Sequence, residues 1–219
     1  MKKQLIAMVS ALAMTFTSLP CVSIATENVP KPVLQYTFDG NKQLADKNGK
    51  NELKLSGGAS VTDDGNKGKG LLLDGTDGYA ELPDNILSSD MTITTWVKIN
   101  KFTTWGRVFD FGTDSNQNFF FAPYSGGASR VEIKNGATVD TMDCTQETAK
   151  DWVNYAITIK GDTVSYYRNG RLIKSKSGIK DISELTNTAN YIGKSHYDGD
   201  AYLSAVVDDF RVYNTALSQ

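Results

Sequence analysis

The feature that most constrains this chain is the punctuation of its apolar runs. From residue 33 onward, stretches of five to nine residues rich in β-branched and aromatic side chains follow one another. They include "VLQYTFD", "MTITTWVKI", "WGRVFDFG", "NFFFAPY", "SRVEI", "WVNYAITI", "TVSYYR" and "RLIKS", separated by Gly, Asn and Asp clusters. Such runs read as strands, and clusters of that kind read as turns. "YRNGRL" carries Asn169-Gly170 between two of the runs, and both residues tolerate the positive φ of a type I′ hairpin turn. "IKGDTV" reads as a second tight turn. The one helical signal is "DISELT" at 181–186. Without helices to cover a parallel sheet, the chain must pack sheet on sheet, so the fold expected is all-β, an antiparallel two-sheet sandwich.

The N-terminus is of another kind. Lys2 and Lys3 precede an apolar run from Leu5 to Phe16, and Ser23-Ile24-Ala25 is a small-x-small pattern. This is the layout of a secretory signal peptide, residues 1–25, cleaved after Ala25. The run is too short for a membrane span. A lipoprotein anchored through Cys21 is the rival reading, and Pro20 directly before that cysteine fits it poorly. Residues 26–32, "TENVPKP", read as a short linker, and 33–219 as one domain. Cleavage removes two lysines and no acids, leaving 21 basic against 25 acidic residues, a net charge of −4. That balance argues against nucleic acid as a partner. Cys144 becomes the sole cysteine, so no internal disulfide forms, and the domain is long enough to stand on its core.

"LQYTFDG", "LLLDGTDGYAELP", "MTITTWVKI" with "RVFDFG", "DWVNYAITIKGDTVSYYRNGRLI" and "NYIGKSHYDGDAYLSAVVDDFRVYNTALS" stand in the order of the strands of a known family. In these pieces the chain resembles a laminin G-like domain of the concanavalin A-like jelly-roll superfamily, of the variety found in secreted bacterial polysaccharide-degrading proteins. The resemblance runs from about residue 33 to the end. It implies a jelly roll that sits beside a glycoside hydrolase domain, notably in arabinan- and arabinoside-degrading enzymes. The chain departs from the family's pattern near Ala205, at Asn154 and at Arg168, where that pattern has a small residue, His and an apolar residue.

Asp208-Asp209, inside "AVVDDFRVY", demands compensation. Simple alternation puts Asp208 on one face with Val206, Phe210 and Val212, and a buried unpaired carboxylate is costly. The resemblance implies structural calcium, Ca²⁺, tying the first strand to the last through Asp39, Gly40, Asp208 and Asp209, since calcium prefers several hard oxygens at a rim. The other reading is that Asp208 accepts from backbone amides or pairs with Arg107, Arg130 or Arg211.

No catalytic constellation is visible. Glu27, Glu52, Glu81, Glu132, Glu147 and Glu184 are isolated, and the Glu-x-Asp-x-x-Glu run of the β-glucanase branch is absent. Adjacent acids on a regular strand face opposite sides and cannot flank one glycosidic bond. His196 reads as an exposed loop imidazole and Cys144 as an incidental thiol. The expectation is therefore a non-enzyme. For ligand binding, aromatic platforms beside polar groups are the natural sugar contacts. The candidates are Trp105, Tyr124, Tyr166, Arg168, Tyr197 and Tyr202, with Phe120 turned away from Phe119 and Phe121. The function expected is a secreted, non-catalytic carbohydrate-binding or substrate-targeting module with a polysaccharide or glycan partner and an adjacent catalytic domain. A structural or adhesion-type protein-interaction domain is the alternative.

Overall fold

The computed structural model describes residues 30–148 and 150–218. The expected signal peptide, Cys21 and most of the expected linker lie outside them. Among the described residues fifteen strands form two antiparallel sheets. In chain order they are β1 Leu34–Tyr36, β2 Lys54–Ser56, β3 Ser60–Thr62, β4 Gly70–Asp74, β5 Tyr79–Leu82, β6 Met91–Lys101, β7 Phe109–Asp114 and β8 Gln117–Ala122. There follow β9 Ala128–Asn135, β10 Thr138–Thr145, β11 Val153–Lys160, β12 Thr163–Arg168, β13 Arg171–Ser177, β14 Ala189–Ile192 and β15 Ser204–Tyr213. One sheet runs β13-β12-β11-β6-β15-β4-β3, with β1 also on β15; the other runs β10-β9-β8-β7-β14-β5-β2. The architecture is the jelly-roll sandwich.

Local chemistry places the turns. Asn169 and Gly170 join β12 to β13 with φ of 49° and 75°, and Gly161 turns β11 into β12 at 55°. "DISELT" shrinks to a 3₁₀ turn at Ile182–Glu184, where the Asp181 carboxylate accepts the Ser183 N–H. The strand β10 carries no apolar run because it is a sheet edge with one buried side chain, Met142. Between the sheets, alternate residues interlock. Phe111 meets Phe210 edge-on at 6.4 Å, and Phe121 lies 5.1 Å from both Tyr155 and Tyr166.

The closing strand corrects the simple alternation. Ala205, Val207, Phe210 and Val212 belong to the core, whereas Val206 does not. A β-bulge between Asp208 and Arg211, opposite Trp96–Thr94 of β6, inserts one extra residue, and Asp209 takes a left-handed φ of 47°. The bulge reverses the parity of the strand midway. Asp208 therefore shares its face with Val206 and lies opposite Trp96, on the outer side of the sheet. It is nonetheless 2 % exposed.

The cover is the segment 63–69. Asp208 Oδ2 accepts the Lys67 N–H at 3.0 Å, and Oδ1 accepts its neighbour Asp209 N–H at 2.6 Å. Asp39 Oδ1 accepts the Lys69 N–H at 2.9 Å. Gly68 sits so close that a Cβ there would lie 2.4 Å from Asp39 Oδ1, and its φ of 80° also calls for glycine. Asp209 turns elsewhere: Arg211 Nε and Gln35 Nε2 donate to its Oδ1 at 2.8 and 3.0 Å. Asp39 and Asp208 thus join the two ends of the chain through one loop's amides, which is the second of the two readings, with Arg211 on Asp209 instead of Asp208. Burial still lifts the Asp208 carboxyl above the ordinary carboxylate value, against the pull of the Lys67 and Asp209 amides.

The protein's own donors hold these acids. Both oxygens of Asp208, and both of Asp209, already accept from protein donors. Among the described residues no group of three or more His, Cys, Asp or Glu could hold a metal ion. Gly40 has φ of 78° with open space around it, as in an ordinary turn.

Two outcomes are expected. Asp208→Ala leaves loop amides unpaired and should lower the unfolding free energy by about 1–3 kcal/mol in a denaturant titration. Thermal melts with and without a calcium chelator should coincide; a loss of several degrees, reversed by added calcium, would show a cation bound between Asp39 and Asp208.

Candidate functional site

The outer face of the seven-stranded sheet carries the densest chemistry. Its register aligns Glu81, Tyr191, Asp110, Phe120, Glu132 and Thr141 in one row across β5, β14, β7, β8, β9 and β10. Phe119 and Phe121 enter the core, as alternation requires, and Phe120 points the other way. It is still only 1 % exposed, because the Arg107 guanidinium carbon stacks 3.6 Å from its ring centroid.

Arg107 is itself 2 % exposed. Nη2 donates to Asp200 Oδ2 at 2.9 Å, while Nε stands 3.6 Å from Asp110 Oδ2. Nε and Nη1 make no hydrogen bond among the described residues. Burial depresses the guanidinium pKa, and Asp110 and Asp200 act against that. A buried donor without an acceptor costs about 1–3 kcal/mol, so two on one side chain ask for an explanation.

Around this arginine the network closes. Asp110 Oδ1 lies 2.8 Å from His196 Nδ1, and Oδ2 accepts the His196 N–H at 3.1 Å. His196 Nε2 is 3.0 Å from the Ala189 carbonyl oxygen. With its side chain 4 % exposed, His196 is a buried member of this network and not an exposed loop imidazole. Ser195 Oγ donates to Asp200 Oδ2 at 2.7 Å and accepts the Tyr197 N–H at 3.0 Å, which fixes the loop beyond β14 over the sheet.

Above Arg107 lies a depression of about 280 Å³, walled by Trp105, Arg107, Phe120, Arg130, Glu132, Tyr197 and Asp200. Trp105 has φ of 68°, a conformation that a bulky side chain rarely adopts. The Trp105 N–H to Tyr124 carbonyl bond, 2.9 Å, holds it there. The guanidinium carbons of Arg107 and Arg130 each lie 5.2 Å from the indole centroid. Arg130 is fixed in turn by Asp143, with Nε and Nη2 donating at 2.7 and 2.9 Å, and it reaches Glu132 at 3.3 Å through Nη1. The result is an aromatic plate between two immobilised cations, with acceptors on the floor and rim.

Of the residues singled out from sequence, Trp105 and Tyr197 meet here. Tyr124 contributes its carbonyl beneath Trp105, while its ring packs edge-on against Phe102 at 6.4 Å. Tyr202 belongs to a separate cluster, 6.2 Å from Tyr79. Tyr166 is a correction: the face that it shares with Arg168 is the core face, and Tyr166 is 2 % exposed against Phe121 and Tyr155. Arg168 closes the edge of that core, its Nε 2.8 Å from Glu147 Oε2, which also accepts the Tyr155 hydroxyl at 3.0 Å. Burial pushes the Cys144 thiol up to about 11, which favours its protonated form. Sequence reasoning missed Arg107, Arg130, Glu132 and Asp200 as a group. Only the outward parity of Phe120 hinted that this face was covered.

Against known proteins, the model of the concanavalin A-like lectin/glucanases superfamily matches residues 74–219. An alpha-L-arabinofuranosidase of Bifidobacterium longum subsp. longum is 27 % identical over 226 residues, covering 89 % of this chain. The chain spans only about a fifth, 21 %, of that relative. Among solved structures, domain 4 of AbnA, a GH43 extracellular arabinanase from Geobacillus stearothermophilus in complex with arabinotriose, superposes with a TM-score of 0.75 at 23 % identity, covering 86 % of this chain and 94 % of that one. The binding domain of botulinum neurotoxin DC, solved with rat synaptotagmin II, gives a TM-score of 0.66 at 16 % identity over 85 % of this chain and 49 % of that one. At such identities these structures speak for the fold alone. With two thirds of its length under the family model and the sandwich in place, this chain belongs to the concanavalin A-like lectin/glucanases superfamily.

Proposed function

We propose that the chain is a non-catalytic carbohydrate-binding module that seats a neutral sugar on Trp105, within a secreted bacterial polysaccharide-degrading system. Its place there would be that of one part of a larger arabinan- or arabinoside-active glycoside hydrolase. The observation that carries the reading is Trp105, held in a left-handed conformation over a depression whose buried Arg107 makes no hydrogen bond through Nε or Nη1 among the described residues. A sugar supplies what such a site lacks: an apolar ring face for the indole and hydroxyl oxygens for the guanidinium. The lining cations Arg107 and Arg130 are outnumbered by their own partners Asp200, Glu132, Asp110 and Asp143, so an acidic sugar gains no net attraction.

The same pairing supports the non-catalytic reading. Glu132 and Asp200, the two carboxylates at the depression, are each engaged by an arginine. A glycosidase acid must instead carry a transferable proton beside the scissile bond. The arabinose-linked relatives support the choice of glycan. Among the described residues no helix is long and apolar enough to cross a membrane; export rests on the N-terminal pattern of the sequence. A second reading, a protein-interaction module, draws on Leu172 and Ile173, which are 43 % and 38 % exposed on the edge strand β13.

Titration calorimetry with arabinotriose, and retention on arabinan, test the proposal. Trp105→Ala should weaken binding tenfold or more, about 1.4 kcal/mol, with the melting temperature of the variant near that of the parent. Absence of binding by the parent protein, or a Trp105→Ala variant that binds as well, would overturn it.

A further inference from the structure

The row of residues that leads to the Trp105 depression does not end there. On the far side of Asp110 and His196, across β14, β5 and β2, the same sheet face opens into a larger depression of about 550 Å³. Its wall includes Lys54, Glu81, Asp84 and Tyr191. The side chains of Lys54, Glu81 and Asp84 form no ion pair or hydrogen bond among the described residues, so acceptors and a donor stand ready side by side. Tyr191 is propped upright by Tyr79, edge-on at 5.5 Å, and by Lys194, 4.6 Å from its ring.

We propose that this depression is a second glycan subsite, and that the module holds an internal stretch of a neutral polysaccharide running across the strands from Tyr191 to Trp105. The inference rests on the glycan reading of the Trp105 depression and adds to it a ligand form, a chain in place of a chain end. Glu81, Tyr191, Asp110, Phe120 and Glu132 sit on five successive strands. With neighbouring strands 4.7–4.9 Å apart, Glu81 and Glu132 are about 19 Å from one another, a span that no single sugar bridges. The ridge between the subsites is the buried network of Asp110, His196 and Arg107, which is rigid and hydrogen-bonded. Two sites on one rigid face make the second contact intramolecular, so affinity rises with chain length once the ligand reaches both.

The experiment is calorimetric titration of the whole protein with arabino-oligosaccharides of three and of six or more units. The longer ligand is expected to bind at least tenfold tighter than the trisaccharide. Tyr191→Ser and the double change Glu81→Ala with Asp84→Ala, two independent disruptions of the same subsite, should return the long ligand to trisaccharide affinity while the trisaccharide changes less than twofold. Equal affinities for the two lengths, or full long-chain affinity in both variants, would overturn the second subsite and leave the first in place. Failure of the parent protein to bind the trisaccharide and the longer ligand alike would refute the glycan reading itself, and the second subsite with it.

Discussion

The extra residue in β15 is the constraint on which the sandwich rests. This strand runs through the middle of its sheet, against β6 along its whole length and against β4 and then β1 on the other side. Side chains alternate with period two, so an unbroken strand would present either Ala205 and Val207 or Phe210 and Val212 to the core, never both pairs. The bulge at Asp208–Asp209 lets all four point inward, at the point where β15 exchanges one neighbour for the other. Its cost is a broken ladder and an outward acid under cover. Thr95 Oγ1 donates to the Asp208 carbonyl oxygen at 3.1 Å, and the loop amides satisfy the carboxylate. The Asp209 N–H released by the bulge turns to Asp208 Oδ1.

The outer faces of the two sheets are covered by the same logic and to different ends. Over Asp208 a loop amide and the amide of the next residue engage both carboxylate oxygens, and what results is a clasp. Over Phe120 the covering group is an arginine whose own bonds are incomplete. A buried ion pair is weak evidence for stability, because desolvation cancels much of its attraction. Phe120 could have been matched by an apolar partner at lower expense. That a half-satisfied guanidinium occupies the position fits a surface shaped for a ligand better than one shaped for folding alone.

The fold was largely legible in the sequence because its signals are local. Period-two alternation, Asn169-Gly170 and Gly161 fix strands and hairpins without reference to the rest of the chain. What escaped depended on neighbours far away in sequence. The parity change in β15 is invisible in "VVDDFRV", since Asp209 does not announce a left-handed residue as glycine would. The strand β10 is polar because it lies on an edge, a fact about its place in the sheet. Tyr166 and Arg168 were correctly placed on one face, but which face meets the core is decided by Phe121 and Tyr155 across the sandwich. The candidate site was half legible: aromatic character marked Trp105 and Tyr197. Arg107, Arg130 and Asp200 come together only through the pairing of β7, β8 and β9 and the loop beyond β14.

Left-handed residues other than glycine sharpen the distinction between structure and site. Among the described residues these are Phe38, Asn85, Trp105, Asn169 and Asp209. Asparagine and aspartate tolerate the conformation through local hydrogen bonding, and Asn169 and Asp209 use it to make a hairpin and a bulge. Phe38 is anchored by the core, where it is 1 % exposed. Trp105 has neither excuse. Its ring is half-buried on the outside of the sheet, and the turn is held by backbone bonds from Trp105 to Tyr124 and from Gly106 to Thr103. A smaller or more tolerant residue would serve the turn as well, so folding alone does not account for tryptophan here. Strain retained at a half-buried aromatic, with its plane fixed between two anchored arginines, would lower the ordering cost of seating a ligand ring under the proposed function.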